Sequence, residues 1–245
     1  MLTYFKNRHT CRTFTDTDIS DAKIKELLEL AAHAPTTGNM QLYSVVITRD
    51  AAQKVLLAPA HFSQPAFMNA PVVLTFCADL NRFVKWCEAR NAVPGFDNFQ
   101  SLMSALLDTV ILAQQFVTVA EMDGIGTCYL GTTTYNPDKI AEILHLPHRV
   151  VPITTLAIGY ASGNYEDTDR LDVDAFVHSE KYRDYSDDDI NRIYSEKEKR
   201  EDSHRFIIEN NKSTLAQVFT DVRYPAKNNE HFSKVLLDFI HRQGF

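Results

Sequence analysis

The chain has 245 residues, 44% of them apolar, and a net charge of −7. That is enough apolar material for a sizeable core, so disorder is not the default, and the length fits one large domain or two small ones. The acidity argues against a nucleic-acid or anionic-membrane surface, while leaving room for a local basic pocket.

Met1–Lys6 runs straight into charge without an apolar signal core, and no uncharged apolar run approaches membrane-spanning length. Cys11, Cys77, Cys87 and Cys128 include no C-x-x-C pair. This usage fits reduced thiols in the cytoplasm better than a disulfide framework or a zinc site. Arg8-His9-Thr10-Cys11-Arg12-Thr13-Phe14 is the first stretch with chemistry in it. Two arginine forks four residues apart, with a hydroxyl between them, can converge on one phosphate, and Phe14 can pin the far end in a core. On its own the cluster equally reads as a solvated edge.

Ser20 is a good N-cap for a helix whose apolar positions are Ile24, Leu27, Leu28 and Ala31, ended by Pro35. Pro35–Gln41 is a short, polar, glycine-bearing loop, suited to a backbone that approaches a ligand. Strands are expected at Tyr43–Thr48 and Pro71–Cys77, with a short helix at Asp50–Leu57 between them. Asn81–Asn98 mixes aromatic, charged and Pro-Gly signals and reads as a mobile excursion without regular structure. Gln100–Asp123 is the longest periodic segment, apolar on more than one face, hence a helix buried centrally or at a subunit interface, stopped by Gly124. Ile125–Leu130 reads as a strand, followed by the loop Gly131–Tyr135. Asn136-Pro137-Asp138 starts a helix with Asn136 as its cap, Pro147 closes it, and Val150–Tyr160 is a strand. Asn164 to about Arg183 is loop-like and acidic. The tail holds two or three helices near Asp188–Arg200, Ser213–Val222 and Glu230–Arg242. Early strands alternating with helices, then helices alone, predict an α+β sandwich, and dimerisation would bury the excess apolar surface of the central helix.

Several motifs fail. Gly124-Ile-Gly126-Thr-Cys-Tyr-Leu-Gly131 has its third glycine two residues late for a dinucleotide fingerprint and runs into a strand. In His145-Leu-Pro-His148 the proline breaks helical ligand geometry, so no metal site is expected. Cys128 sits in an apolar strand and reads as core. No nucleophile or acid/base constellation is present. An anion-binding cluster with glycine loops but no catalytic set points to a bound cofactor that carries the chemistry.

Arg8–Phe14, Ala34-Pro-Thr-Thr-Gly-Asn-Met-Gln41, Phe76-Cys-Ala-Asp79, Gly126–Gly131 and the closing Leu237–Phe245 together resemble the nitroreductase superfamily. The likeness is nearer its larger NADPH-dependent branch of oxygen-insensitive nitroreductases and flavin reductases. The resemblance implies an antiparallel-dominated mixed sheet flanked by helices around a long buried central helix, in an interlocked homodimer with FMN at the subunit interface. A core over 1–180 would be followed by a C-terminal helical extension over 181–245 that wraps the partner, the whole forming one structural domain. By matching position, Arg8, Thr10 and Arg12 would grip the FMN phosphate with His9 nearby, and Arg170 would be a second phosphate arginine. Thr168 stands where the family often has lysine. Thr36, Thr37, Gly38, Asn39 and Gln41 would line the flavin, from the partner subunit. Gln64 would bond the ring near its reactive nitrogen, and Tyr129, Leu130, Gly131 and Thr132 would face it. Arg200 and Arg205 match a pair that reads the NADPH 2′-phosphate, although Glu201 and Asp202 between them would repel a phosphate, and a charged helix end is the plain alternative. The implied activity is ping-pong reduction of nitroaromatics, quinones or free flavin by NAD(P)H. A dedicated flavin reductase supplying reduced FMN and a non-catalytic flavin-binding protein are the alternatives. No residue is expected to act as a protein catalyst, and neither a metal, a nucleic acid nor a membrane as a partner.

Overall fold

The computed structural model describes residues 2–163 and 168–245. These form two compact units. One runs from Leu2 to Gly163 and takes in the C-terminal Phe232–Phe245; the other holds the described residues from Thr168 to His231.

The first unit is built on four strands, β1 (Tyr43–Thr48), β2 (Val72–Asp79), β3 (Ile125–Leu130) and β4 (Val150–Tyr160), in the order β1-β2-β4-β3 with every pairing antiparallel. β2 is buried along its whole length, as its apolar run, interrupted only by Thr75 before Asp79, requires of a strand covered on both faces. Helices α1 (Leu2–Asn7), α2 (Asp21–Ala31), α3 (Ala51–Leu57), α4 (Pro65–Asn69), α5 (Asn81–Glu88), α6 (Phe99–Met122) and α7 (Pro137–Ile143) belong to this unit. Ser20 caps α2 by accepting from Lys23 N–H, and Asp50 caps α3 by accepting from Gln53 N–H.

α6 lies against the sheet and α2. Leu112, Ala113, Phe116, Val117 and Ala120 pack with Ile24 and Leu27 of α2, Phe76 of β2 and Leu156 of β4 in the main core. By length and apolarity α6 could cross a membrane, but 44% of its most apolar window is buried within the protein. Its other face stays exposed at Phe99, Leu107, Val110, Ile111 and Met122.

Asn81–Asn98 is partly regular, contrary to expectation. α5 covers Asn81–Glu88, opened by Asp79, whose carboxylate accepts from Arg82 N–H. Only Val84 of this helix is buried, while Phe83 packs edge-on to Phe96 at 5.3 Å, so an aromatic cluster does the work that a periodic apolar stripe normally does. Asn136 does precede α7, but its side chain caps nothing and donates instead to Ala60 O at 2.9 Å. α7 ends at Ile143, ahead of Pro147.

The second unit holds α8 (Asp187–Glu198), α9 (Glu201–Glu209), α10 (Leu215–Gln217) and a π-helical continuation at Val218–Arg223. Ser186 and Asp189 form a reciprocal capping box on α8. α9 was not expected, because its acidic start and Arg200 read as the end of the preceding helix. The last helix, α11 (Ala226–Arg242), begins in this unit and ends in the first. The acidic stretch read from Asn164 begins outside the described residues.

Candidate active site

The Arg8–Phe14 segment is tied to β3 at Cys11 and to the end of β4 beside Phe14. Cys11 N–H donates to Thr127 O at 2.9 Å, Thr15 N–H to Tyr160 O at 2.8 Å, and Phe14 bridges Ala161. These bonds fix where the segment carries its two arginines against the sheet. The seat depends on Gly126, where an added Cβ would stand 2.6 Å from Cys11 Cβ and Sγ. Cys11 is buried, while Thr10 is half-buried and Arg12 exposed on either side of it.

The two arginines are not equivalent. Arg8 Nε lies 3.2 Å from Glu121 Oε2, and its Nη2 donates to Oε1 at 3.2 Å. The same carboxylate accepts from Tyr4 Oη at 2.8 Å and Thr127 Oγ1 at 2.6 Å. Burial, helped by Glu121, pushes the Tyr4 phenol up to about 12. Arg12 makes no hydrogen bond or ion pair among the described residues. Its charge, with that of Arg8, opposes the upward push that burial exerts on the Cys128 thiol. His9 Nδ1 sits 2.9 Å from Asn7 O.

At the end of β3, Leu130 and Thr132 are buried, so only Tyr129 and Gly131 present a surface there. A Cβ on Gly131 would meet nothing within 4 Å, which leaves its backbone open to a ligand. Tyr129 Oη reaches Gln114 Oε1 at 3.5 Å, and burial pushes its phenol up to about 12. The Gln64 side-chain amide, ahead of α4, makes no hydrogen bond among the described residues.

His61, three residues earlier, escaped the sequence reading. It is fully buried, its Nδ1 is 3.0 Å from Thr132 Oγ1, and its ring stacks on Phe67 at 4.7 Å. The available signal was a single ionisable residue after the apolar run Val55–Ala60. Burial lowers its pKa to about 4 from an ordinary 6.5. The unfolded chain therefore binds the extra proton between those values, so stability is full above pH 6.5 and is lost as pH falls toward 4. The loss is expected to reach on the order of 3 kcal/mol. Urea midpoints measured at pH 7 and pH 4.5 test this, because His61→Asn should flatten that limb of the curve.

The Thr36–Gln41 loop is tied elsewhere. Thr37 N–H and Oγ1 donate to Asp108 Oδ1 at 2.8 and 3.0 Å, Leu42 N–H donates to Oδ2 at 3.3 Å, and Arg82 donates to Gln41 O. Gly38, Asn39 and Gln41 all have left-handed φ, near 55°, a conformation that such anchoring makes tolerable for the two residues that are not glycine. Among the described residues none of the loop's hydrogen bonds reaches the Arg8–Phe14 segment or β3. Asp108, too, was missed, although one carboxylate in the apolar middle of a long helix is a visible irregularity.

In the second unit a hollow of about 660 Å³ is lined by Arg170, Arg192, Lys197 and Arg200 together with Asp169 and Asp172. It brings Arg170 and Arg200 to one place. Arg170 donates to its neighbouring carbonyls at Thr168 and Asp169, and Lys197 pairs with Asp169 at 2.8 Å. Asp202 accepts from Arg200 Nε at 2.9 Å and is itself held below the usual carboxylate range by that arginine. Arg205 is exposed and does not line the hollow; its guanidinium lies 5.4 Å from the Phe206 ring centroid.

Residues 5–160 match the family model described as the nitroreductase family. The chain belongs to the nitroreductase family. It is 27% identical to the oxygen-insensitive NADPH nitroreductase of Salmonella typhimurium, over 96% of this chain and 93% of that protein. It is 30% identical to an NADPH-linked FMN reductase of Bacillus subtilis over 74% of each. A crystal structure from Bacteroides fragilis, of a protein named as an oxidoreductase, superposes with a TM-score of 0.97 at 52% identity, covering 99% of this chain and 98% of that one.

For a nitroreductase-family chain the division of residues is informative. The family match holds Arg8–Arg12, the Thr36–Gln41 loop, Gln64 and the end of β3, and leaves Arg170, Arg200 and Arg205 outside it.

Proposed function

We propose that this nitroreductase-family protein is an FMN-dependent NAD(P)H:acceptor oxidoreductase, reducing nitroaromatics, quinones or free flavin by a ping-pong route. The observation that supports the reading is the Arg8–Arg12 segment, bonded to β3 through Cys11 and Thr127, with Arg12 exposed and without a hydrogen-bond or ion-pair partner among the described residues, and, at the end of the same strand, the open backbone of Gly131 next to exposed Tyr129. That donor set fits the group. Arg12 and Thr10 offer a permanent charge and a hydroxyl to a phosphate, with Arg8 and His9 beside them. Gln64 holds an amide unengaged among the described residues, and the Gly131 backbone together with Leu130 and Thr132 supplies a firm turn against which a flat ring can rest. Bound FMN supplies the two-electron carrier chemistry between reduced nicotinamide and acceptor, so no side chain has to act as acid, base or nucleophile.

The exposed apolar face of α6 supports a homodimer, since a second copy would remove Leu107, Val110 and Ile111 from water. The Thr36–Gln41 loop, anchored on α6 through Asp108, then serves the partner's flavin. Residues 181–245 act as the helical extension that wraps the partner. Arg170 is read as an additional phosphate ligand, and Arg200 with Arg205 as the recognition pair for the NADPH 2′-phosphate. The four cysteines, all free, suit a cytoplasmic location.

A visible spectrum of the purified protein, followed by anaerobic NADPH or NADH, tests the whole. A flavin spectrum that bleaches faster with NADPH is expected. Equal rates would remove Arg200 and Arg205 from the reading, and a colourless protein that takes up no added FMN would overturn it.

A further inference from the structure

We propose that His61 is a positioning residue, whose buried imidazole locks the turn carrying Gln64 to the turn carrying Gly131 and Thr132, so that both sides of the flavin slot behave as one body. The proposal rests on the FMN reading above. Three consecutive residues of the first turn are fastened to the second. Ala60 O accepts from Asn136 Nδ2 at 2.9 Å, His61 Nδ1 lies 3.0 Å from Thr132 Oγ1, and the Phe62 ring stands edge-on to Tyr135 at 6.3 Å. Tyr135 is in turn stacked on Phe232 at 4.3 Å.

The geometry beyond His61 is strained. Phe62 and Ser63 both have left-handed φ, 53° and 49°, a pairing that residues with a Cβ rarely adopt in succession. Three bonds hold it: Phe62 N–H to Pro59 O at 3.1 Å, Ser63 N–H to Ala58 O at 2.8 Å and Gln64 N–H to His61 O at 3.2 Å. The strained step delivers Gln64, whose amide is left without a partner among the described residues.

The choice of histidine is also informative. His61 Nε2 is buried and has no hydrogen-bond partner among the described residues. A leucine would fill this apolar pocket without that penalty, so the imidazole is there for the bond made by its other nitrogen. An orphaned lone pair costs less than an orphaned N–H, which assigns the Nδ1–H tautomer with Thr132 Oγ1 as acceptor. His61 remains neutral through the ordinary working range, since burial lowers its pKa to about 4. The lock therefore does not open with pH near neutrality.

The test uses the FMN-loaded protein and compares His61→Leu, Thr132→Val, the double variant, His61→Asn and Gln64→Ala. Two readouts are followed: the dissociation constant for FMN, from flavin fluorescence, and the midpoint potential of the bound flavin. His61→Leu and Thr132→Val should each change the oxidised-to-reduced balance of bound flavin about tenfold, or about 30 mV for a two-electron couple. The double variant should be no worse than either single one, because both remove the same bond. His61→Asn, whose amide nitrogen can stand near the Nδ1 position, should restore the potential. Gln64→Ala should shift the potential in the wild-type background and do little in His61→Leu. Unchanged potentials with FMN bound, or effects of His61→Leu and Thr132→Val that simply add, would overturn the proposal. A wild-type protein that takes up no FMN would instead overturn the reading of the site. If His61→Leu fails to fold, Thr132→Val and Gln64→Ala against His61→Asn decide the question.

Discussion

Under the proposed function, Arg12→Ala is expected to weaken FMN binding by about 10- to 100-fold, the equivalent of the 1.5–3 kcal/mol that a charge-assisted contact contributes, and to leave the thermal midpoint where it was. Both halves of that result follow from the same observation: Arg12 is exposed and bonds to nothing among the described residues, so the fold loses nothing with it. Arg8→Ala behaves differently. It strips Glu121, a carboxylate at the foot of α6 that also holds Tyr4 and Thr127, of its cationic partner, so stability falls together with affinity. Arg12→Lys keeps the charge but not the planar fork and recovers only part of the binding. Fluorescence titration with FMN alongside a melting curve separates the cases. An Arg12→Ala protein with wild-type affinity would return the N-terminal cluster to a solvated edge.

The second large effect belongs to Asp108. Both of its oxygens accept, one from Thr37 N–H and Oγ1 and the other from Leu42 N–H, and the residue is 1% exposed. Asn in its place turns an NH₂ toward one of these donors and leaves at least one buried N–H or O–H without an acceptor. The expected loss is about 2–3 kcal/mol. In a chain of this size that lowers the melting midpoint by roughly 5–10 °C. The Thr36–Gln41 loop should also become the first site of proteolysis, because its left-handed residues lose their anchor. A midpoint within about 1 °C of wild type would show that the loop draws its order from elsewhere.

The parts of this fold that were legible in the sequence are those whose cause is local. β2 and β4 announce themselves by β-branched apolar runs, α2 and α3 by the capping residues Ser20 and Asp50, and α6 by sheer apolar length. That the Arg8–Phe14 segment packs on the sheet was not legible, because its seat depends on the missing Cβ of Gly126. α5 was lost because its aromatic residues pack on each other and on Phe96, leaving one buried position and no stripe to read. The pairing of Asp202 with Arg200 was not legible either, since counting charges along the sequence does not say which carboxylate meets which guanidinium. His61 and Asp108 were invisible as site residues because each acts across a gap in sequence, of 71 residues to Thr132 and Thr37 respectively.

The strand order carries a consequence for how the protein reaches this state. The two central strands, Val72–Asp79 and Val150–Tyr160, are neighbours in the sheet, and α6 and β3 lie between them in the chain. Joining them closes a long loop before any of the contacts that reward closure exist, and such non-local pairing makes folding slow. During synthesis β1 and β2 can meet early as a ribbon, but a two-stranded ribbon is marginal alone in water. The nascent chain thus holds α6 and the unpaired side of β2 without their cover until β4 has left the ribosome, which is the interval in which chaperones would find it.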